Sequence, residues 1–168
     1  SFIWSQLPGG GYPTDLSKIG TGTWVLAGAN TYTGPTSVTA GTLRVNNPSG
    51  SGTGPGLVTV SAGATLGGSG SIGGAVTINA DGTLAAGNSI ESLAVGALTL
   101  AAGSIFEQEI ADSTPTGADL VHSYGDFNVL GAVTLNLSDV GAYAWQPGDK
   151  ITLISYSGGL SLDTGFAY

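Results

Sequence analysis

His122 is the one histidine of the chain, and it lies close to an acidic residue and a serine, Asp119 and Ser123. A serine hydrolase needs a serine held against a histidine that a carboxylate orients, so these residue types could carry acyl transfer. The closest string to a nucleophile motif, Gly-Ser-Gly-Ser at 68–71, has no acidic residue and is typical of a turn. We therefore predict that His122 is a surface residue on a strand and that the chain has no catalytic residues.

Two glutamates stand two positions apart in Phe106-Glu107-Gln108-Glu109-Ile110, so on a strand both carboxylates point the same way. Paired carboxylates in the groove of a β-helix could hydrolyse glycans. The alternation has a simpler interpretation, in which Phe106 and Ile110 face a core and both glutamates face water. We favour this second interpretation and keep a glycan hydrolase or lyase as a minor alternative.

The aspartates raise the question of calcium, at Asp81-Gly82 and between Asp112 and Asp126. Calcium-binding repeats need several acidic or carbonyl ligands in every turn at a fixed spacing, whereas single aspartates occur here. Such residues are typical of turns. The Gly-rich strings at 20–22 and 67–70 lack the following helix and the lysine that would meet a phosphate. We therefore predict neither a metal nor another cofactor.

Charge and composition exclude further classes of function. The net charge is −8, and three basic residues, Lys18, Arg44 and Lys150, are too few to form a patch that binds nucleic acid. The most apolar segment, Leu93–Ala102, is shorter than the roughly 18 residues that a membrane-spanning helix needs. The chain has no cysteine and therefore no disulfide framework.

A phrase of the form apolar-Thr-apolar, a short gap, glycine and then an apolar residue recurs along the chain. Its copies lie at 38–43, 58–66, 76–84 and 98–105, with glycines at 41, 63, 82 and 103. Each copy predicts two short strands around a turn, and a unit of about 20 residues buries its apolar side only by stacking on its neighbours. The pattern predicts a β-solenoid. A β-sandwich, the structural alternative, does not explain a fixed period.

The chain is not uniform along its length. Residues 1–104 contain 22 of the 30 glycines, whereas residues 105–168 contain 8 glycines and are richer in large apolar residues. We interpret 1–104 as Gly-rich β-helix coils of a stem and 105–168 as a cap with a denser core. Both belong to one continuous solenoid.

Two regions resemble the passengers of autotransporters. Lys18–Gly34 and Thr36–Leu43 resemble the passenger-associated transport repeat, with Pro35 where the family more often has a second glycine. The second region is similar to the C-terminal part of such passengers. Its matching stretches are Gly87-Asn88-Ser89-Ile90, Phe106–Ile110, Asp119-Leu120-Val121 with Gly125, Gly148–Tyr156 and Gly165-Phe166.

The resemblance implies an all-β fold, a right-handed, single-stranded parallel β-helix. It also implies export through the periplasm and the outer membrane to the bacterial cell surface, with the protein's own C-terminal outer-membrane β-barrel as partner. The segment next to that barrel often acts as an autochaperone that folds first. We assign folding and capping roles to seven residues: Phe106, Trp145, Gly148, Ile151, Leu153, Tyr156 and Phe166.

Aromatic residues near the two ends leave alternatives open. Trp145 could bind a sugar as an exposed aromatic beside a turn, or cover the end of the core, and we favour capping. At the other end, Phe2, Ile3 and Trp4 are expected to pack back over the first coil or to mediate weak end-to-end contact. We expect a monomer or such a weak association.

Three functions are compatible with this sequence. The first is a stem that promotes passenger folding and secretion and displays a distal adhesin or virulence region. The second is an adhesive surface of the coils themselves, which would bind host cells or glycans. The third is a β-helix enzyme that acts on glycans, for which the sequence offers no convincing acid and base.

Overall fold

The structure, a computed structural model, describes residues 2–4, 13–87 and 89–163, and for residues 2–4 only the backbone. Every regular element in these ranges is a β-strand. No helix in the described part is long and apolar enough to cross a membrane. The strands are β1 Phe2–Trp4, β2 Leu16–Lys18, β3 Thr23–Leu26, β4 Thr36–Val38, β5 Gly41–Val45, β6 Val58–Val60, β7 Ala64–Gly68, β8 Ser71–Ile78, β9 Thr83–Ala86, β10 Ser92–Ala101, β11 Ile105–Ile110, β12 Leu120–Ser123, β13 Phe127–Leu130, β14 Thr134–Asp139, β15 Ile154–Tyr156 and β16 Leu160–Leu162.

The strands form two long parallel sheets. The first has the order β1-β3-β5-β7-β9-β11-β14, and the second has β2, β4, β6, β8 and β10 in succession, after which β12 and β13 both pair with β10. Strands β15 and β16 extend these last two. Neighbours in each sheet come from successive coils of the chain, and all the named pairs are parallel. The predicted parallel β-helix is confirmed, and the sandwich is excluded.

The repeated phrase becomes a ladder of identical positions in this fold. Leu43, Leu66, Leu84 and Phe106 are paired one above the other in the first sheet and are all buried. Each such side chain contributes about 1.5–3 kcal/mol when it leaves water. The stack therefore supplies the free energy that no single coil of about 20 residues could supply alone.

Glycine is required at the turn that opens β5. Gly41 has a φ of +66°, and a Cβ there would come within 2.5 Å of the carbonyl oxygens of Gly20 and Gly22 in the preceding coil. Asp81 takes the same left-handed conformation, with a φ of 58°, at the turn before β9. These turns let one coil lie directly on the next.

Burial along the stack differs from the expected denser core in residues 105–168. The buried apolar cluster runs from Leu26 to Val129. In β14 and β16, by contrast, Leu135, Leu137 and Leu162 remain 49%, 47% and 49% exposed. The physical reason is position, since the last described coil has a neighbouring coil on one side alone. Apolar composition therefore does not translate into burial at this end.

Candidate functional surfaces

Residue Lys18 occupies an inward position of the first described coil, in line with Val38 and Val60 of the next two coils. Its side chain is fully buried, and Nζ donates hydrogen bonds to the carbonyl oxygens of Gly20 at 2.7 Å and Ala40 at 2.8 Å. Burial lowers the pKa of this ammonium group. A buried charge is tolerated when hydrogen bonds satisfy it, so Lys18 fastens one coil to the next.

The following segment holds two further buried polar side chains. The Tyr32 hydroxyl lies 2.7 Å from Thr36 Oγ1, and burial raises the pKa of Tyr32. Asn30 Nδ2 donates to the carbonyl oxygen of Gly52, one coil further on, at 2.6 Å. A Cβ at Gly34 would overlap the carbonyl of Thr14. Lys18 and Asn30 thus join neighbouring coils, whereas the contact between Tyr32 and Thr36 lies within one coil.

Rows of hydroxyl groups line the outside of both sheets. Ser37, Thr59, Thr77 and Thr99 are paired in register on successive coils of the second sheet. Parallel neighbours are about 4.8 Å apart, so the row is evenly spaced. This surface is uncharged along the row and can offer hydrogen bonds to a partner.

A groove of about 700 Å³ lies on the outer face of the first sheet. Arg44, Gly67, Ala85, Glu107 and Asn136 occupy one position on five successive coils. The two small residues leave a depression, with Arg44 at one side and Glu107 three coils away, at roughly 14 Å by strand spacing. The groove therefore carries opposite charges at its two sides.

Both glutamates of the predicted pair line this groove. Phe106 is buried and Glu107 exposed, as the alternation indicates, while Glu109 and Ile110 are half-buried. A further carboxylate that lines the groove, Asp119, is 1% exposed and accepts hydrogen bonds from the backbone N–H groups of Glu91 and Glu109, both at 2.9 Å. Because both oxygens of Asp119 accept backbone hydrogen bonds, its carboxyl group is poorly suited to protonate a glycosidic oxygen.

Asp119, His122 and Ser123 are not assembled as a triad. The hydroxyl of Ser123 donates to the carbonyl oxygens of Gly125 and Asp126 instead. His122 Nδ1 lies 2.6 Å from the hydroxyl oxygen of a different serine, Ser155 of the next coil. Its ring packs edge-on against Tyr124, with centroids 4.5 Å apart. Sequence reasoning missed Ser155 because it is 33 residues away, and only the coil register reveals the pair.

Four residues form what we call the aromatic corner: Tyr143 and Trp145 of the loop between β14 and β15, Asp139 at the end of β14, and Ser113 of the loop between β11 and β12. Tyr143 and Trp145 pack edge to face with centroids 5.0 Å apart. Ser113 Oγ donates to the Tyr143 hydroxyl at 2.8 Å, and Trp145 Nε1 donates to Asp139 Oδ2 at 3.2 Å. Both rings are half-buried.

The structure places the proposed capping residues in different surroundings. Phe106 is buried within the stack, and Leu153 packs against the buried cluster. Trp145 is not among the side chains that pack on this cluster; its described contacts are within the aromatic corner. Tyr156 is 42% exposed, with its ring 6.1 Å from that of Phe127.

The remaining predictions concern residues of the loop and of the two ends. Ile151 is half-buried, and Gly148 is exposed with a φ of +103°. Phe166 lies outside the described residues, as do the side chains of residues 2–4. The backbone of these three residues forms β1, which pairs with β3.

Metal-ligating residue types are not clustered in the part of the chain that the structure describes. No three histidine, cysteine, aspartate or glutamate residues there are arranged to hold a metal ion. The candidate surfaces are therefore the hydroxyl rows, the groove and the aromatic corner.

Comparison with known proteins gives two findings. Residues 16–45 match the family model of the passenger-associated-transport-repeat. The chain is also similar to the adhesin BmaC autotransporter of Brucella suis biovar 1 (strain 1330), with 40% identity over 53 residues. That match covers 32% of this chain and 2% of the length of the relative. Both findings support an autotransporter passenger region, and the predicted resemblance is confirmed.

Proposed function

We propose that this chain is a stem segment of an autotransporter passenger, which folds coil by coil at the bacterial surface and holds a more distal region away from the cell. The observation that carries this proposal is the continuous ladder of parallel coils from β1 to β14. A passenger stem needs such an extended, self-templating structure, because each completed coil presents a strand edge on which the next can form.

Folding by stacking would also assist secretion through the protein's own C-terminal barrel. A coil that has formed outside the membrane loses conformational freedom and buries apolar area, which opposes backsliding of the chain. We assign the first step to the C-terminal part of the chain. Since β14 and β16 bury little, residues 105–168 need the long strands β8 and β10 to complete a stable seed.

The test uses the complete protein, exported by its own bacterium, with an epitope placed before Ser1. Leu98→Asp puts a charge into the buried ladder, whereas Thr99→Asp puts the same charge on the outer row of the same strand. We expect Leu98→Asp to reduce surface display of the epitope several-fold and Thr99→Asp to leave it near the wild-type level. Equal display of both variants in flow cytometry would refute the stem role.

Adhesion by the coils is a second candidate function. The outer hydroxyl row from Ser37 to Thr99 and the groove beside Arg44 offer polar contacts, and the relative that the chain matches is named an adhesin. Binding of the purified chain to cultured host cells tests this role separately from display. If the chain binds host cells no better than an unrelated β-helix does, the adhesive role is wrong and the stem role is unaffected.

A further inference from the structure

The segment Asn136-Leu137-Ser138 has the form Asn-x-Ser, which is the acceptor signal for N-linked sugars. It is the one such signal in the chain. The other asparagine with a serine or threonine two residues later, Asn47, is followed by Pro48, and proline at that place removes the signal. A signal of three residues also arises by chance, so its position in the fold must support it.

Asn136 lies in the middle of β14, with its side chain on the outer face of the first sheet. It is paired with Glu107, which is exposed on that face, and Asn136 itself is exposed. Ser138 is also exposed, and its hydroxyl lies on the same face because it is two residues further along the strand. Within the described residues, the side-chain amide of Asn136 forms no hydrogen bond. Both groups that define the signal are therefore open to an enzyme.

The fold leaves room for a group attached to Asn136. Asn136 and Ser138 line the groove of about 700 Å³, together with the small side chain of Ala85. In contrast, Asn30 and Asn47 are each 4% exposed, and their amide groups donate to backbone carbonyl oxygens. A sugar on Asn136 thus displaces no packed side chain, whereas one on either buried asparagine would break contacts of the stack.

The strand that carries the signal is an open edge. In the described part of the chain, β14 is the last strand of the first sheet, and Leu135 and Leu137 remain 49% and 47% exposed. An unpaired edge with exposed apolar side chains tends to pair with other chains. N-linked sugars are bulky and solubilising, so a sugar beside this edge would hinder such pairing.

We propose that Asn136 is the acceptor of an N-linked sugar, transferred by a glycosyltransferase of the producing bacterium. This modification goes beyond the stem role and does not depend on the adhesive role. The donor is a sugar whose C1 atom is bound to a diphosphate, which belongs to a nucleotide or to a lipid. The amide nitrogen of Asn136 forms a bond to C1 while the bond between C1 and the diphosphate oxygen breaks. The diphosphate leaves with the electron pair of that bond, and the amide nitrogen loses one proton.

The experiment isolates the complete protein from the surface of its own bacterium and analyses the peptides that contain Asn136 by tandem mass spectrometry. We expect a mass increase of whole sugar residues on Asn136. Ser138→Ala should lose the added mass, whereas Ser138→Thr, which keeps the hydroxyl, should retain it. Asn128→Gln is the matched control, because Asn128 continues the outer row of Thr99 and has no serine or threonine two residues later.

A second sample distinguishes the two donors. It is the same protein without its export signal, so that it remains in the cytoplasm. A sugar on this sample indicates a donor bound to a nucleotide, and a sugar on the exported protein alone indicates a donor bound to a lipid. In light scattering, the unmodified Ser138→Ala protein should associate at a lower concentration than the modified wild type.

The outcomes separate the proposal from its alternatives and from the stem role. Unmodified Asn136 in the exported protein, a sugar that persists in Ser138→Ala, or sugars confined to the hydroxyl rows would overturn it. Thermal unfolding establishes that each variant is folded, and Ser138→Thr separates recognition of the hydroxyl from an effect on stability. Normal surface display of a protein without the sugar would refute the modification and leave the stem role intact.

Discussion

The carboxylate of Asp119 joins two neighbouring coils, because its Oδ2 accepts the backbone N–H of Glu109 at 2.9 Å while its Oδ1 accepts that of Glu91. Burial, together with the negative charges of Glu109 and Glu91, raises the pKa of Asp119, while the two backbone hydrogen bonds oppose that rise. Burying the Asp119 carboxylate costs free energy, while its two hydrogen bonds fix the corner between the two sheets. This corner lies where the loop 111–118 leaves the stack of coils.

The junction makes stability depend on pH. A carboxyl group whose pKa is raised in the folded state stabilises the fold fully below its ordinary value of 3.8, and this contribution is lost as the pH rises through the raised pKa. We therefore expect the urea midpoint to fall over this range more steeply in the wild type than in Asp119→Asn.

Asp112→Asn is the control for this pH dependence. The pKa of Asp112 is lowered by hydrogen bonds from Thr114, so its contribution has the opposite sign and disappears as the pH falls. If Asp119→Asn followed the wild-type pH profile, the proposed role of Asp119 would be wrong.

Core truncations should differ according to position in the stack. Leu84→Ala should cost about 2–5 kcal/mol in the free energy of unfolding, because its side chain is fully buried between two coils. Leu135 lies in the same ladder but at its exposed end. We therefore expect Leu135→Ala to lower the free energy of unfolding by less than about 1.5 kcal/mol. Chemical denaturation measures both, and equal losses would contradict the burial described here.

The turn before β5 should not tolerate a side chain. Gly41→Ala forces a β-carbon onto the carbonyls of Gly20 and Gly22 and strains a left-handed φ, so we expect destabilisation of more than about 1 kcal/mol. Gly22→Ala is the matched control, because no atom lies within 4 Å of its added Cβ and its φ is not left-handed. A thermal midpoint for Gly41→Ala as high as that of Gly22→Ala would refute the close packing of this turn.

The proposed seed can be tested with fragments. Residues 71–168 include the long strands β8 and β10, which pair with one another in the second sheet, whereas residues 105–168 lack both and end in the exposed strands β14 and β16. We expect 71–168 to unfold in one cooperative transition and to resist protease, and 105–168 to do neither. A cooperative transition in isolated 105–168 would show that the segment needs no support from β8 and β10.

The sequence allowed the in-register rows of side chains to be predicted. It did not allow the contacts of the loops and of the last coils to be predicted. Thr59, Thr77 and Thr99 recur after 18 and 22 residues, near the length of one coil, so their alignment on one outer row follows from stacking. Ser155 and His122 meet across coils with unequal loops, and no period relates their positions. Trp145 packs on Tyr143 and donates to Asp139, and no repeat in the sequence predicts these contacts.

A crosslink on living cells tests the central claim most directly, since the protein has no native cysteine. Thr59 and Thr77 are paired in register on adjacent coils, whereas Thr59 and Thr99 are two coils apart. A disulfide requires Cα atoms about 4.4–6.8 Å apart, which adjacent coils satisfy and coils at roughly twice the strand spacing do not. We predict that the displayed protein with Thr59→Cys and Thr77→Cys crosslinks on external oxidation, while that with Thr59→Cys and Thr99→Cys remains reduced. Equal crosslinking of both pairs, or absence of both variants from the cell surface, would contradict a coil-stacked passenger stem.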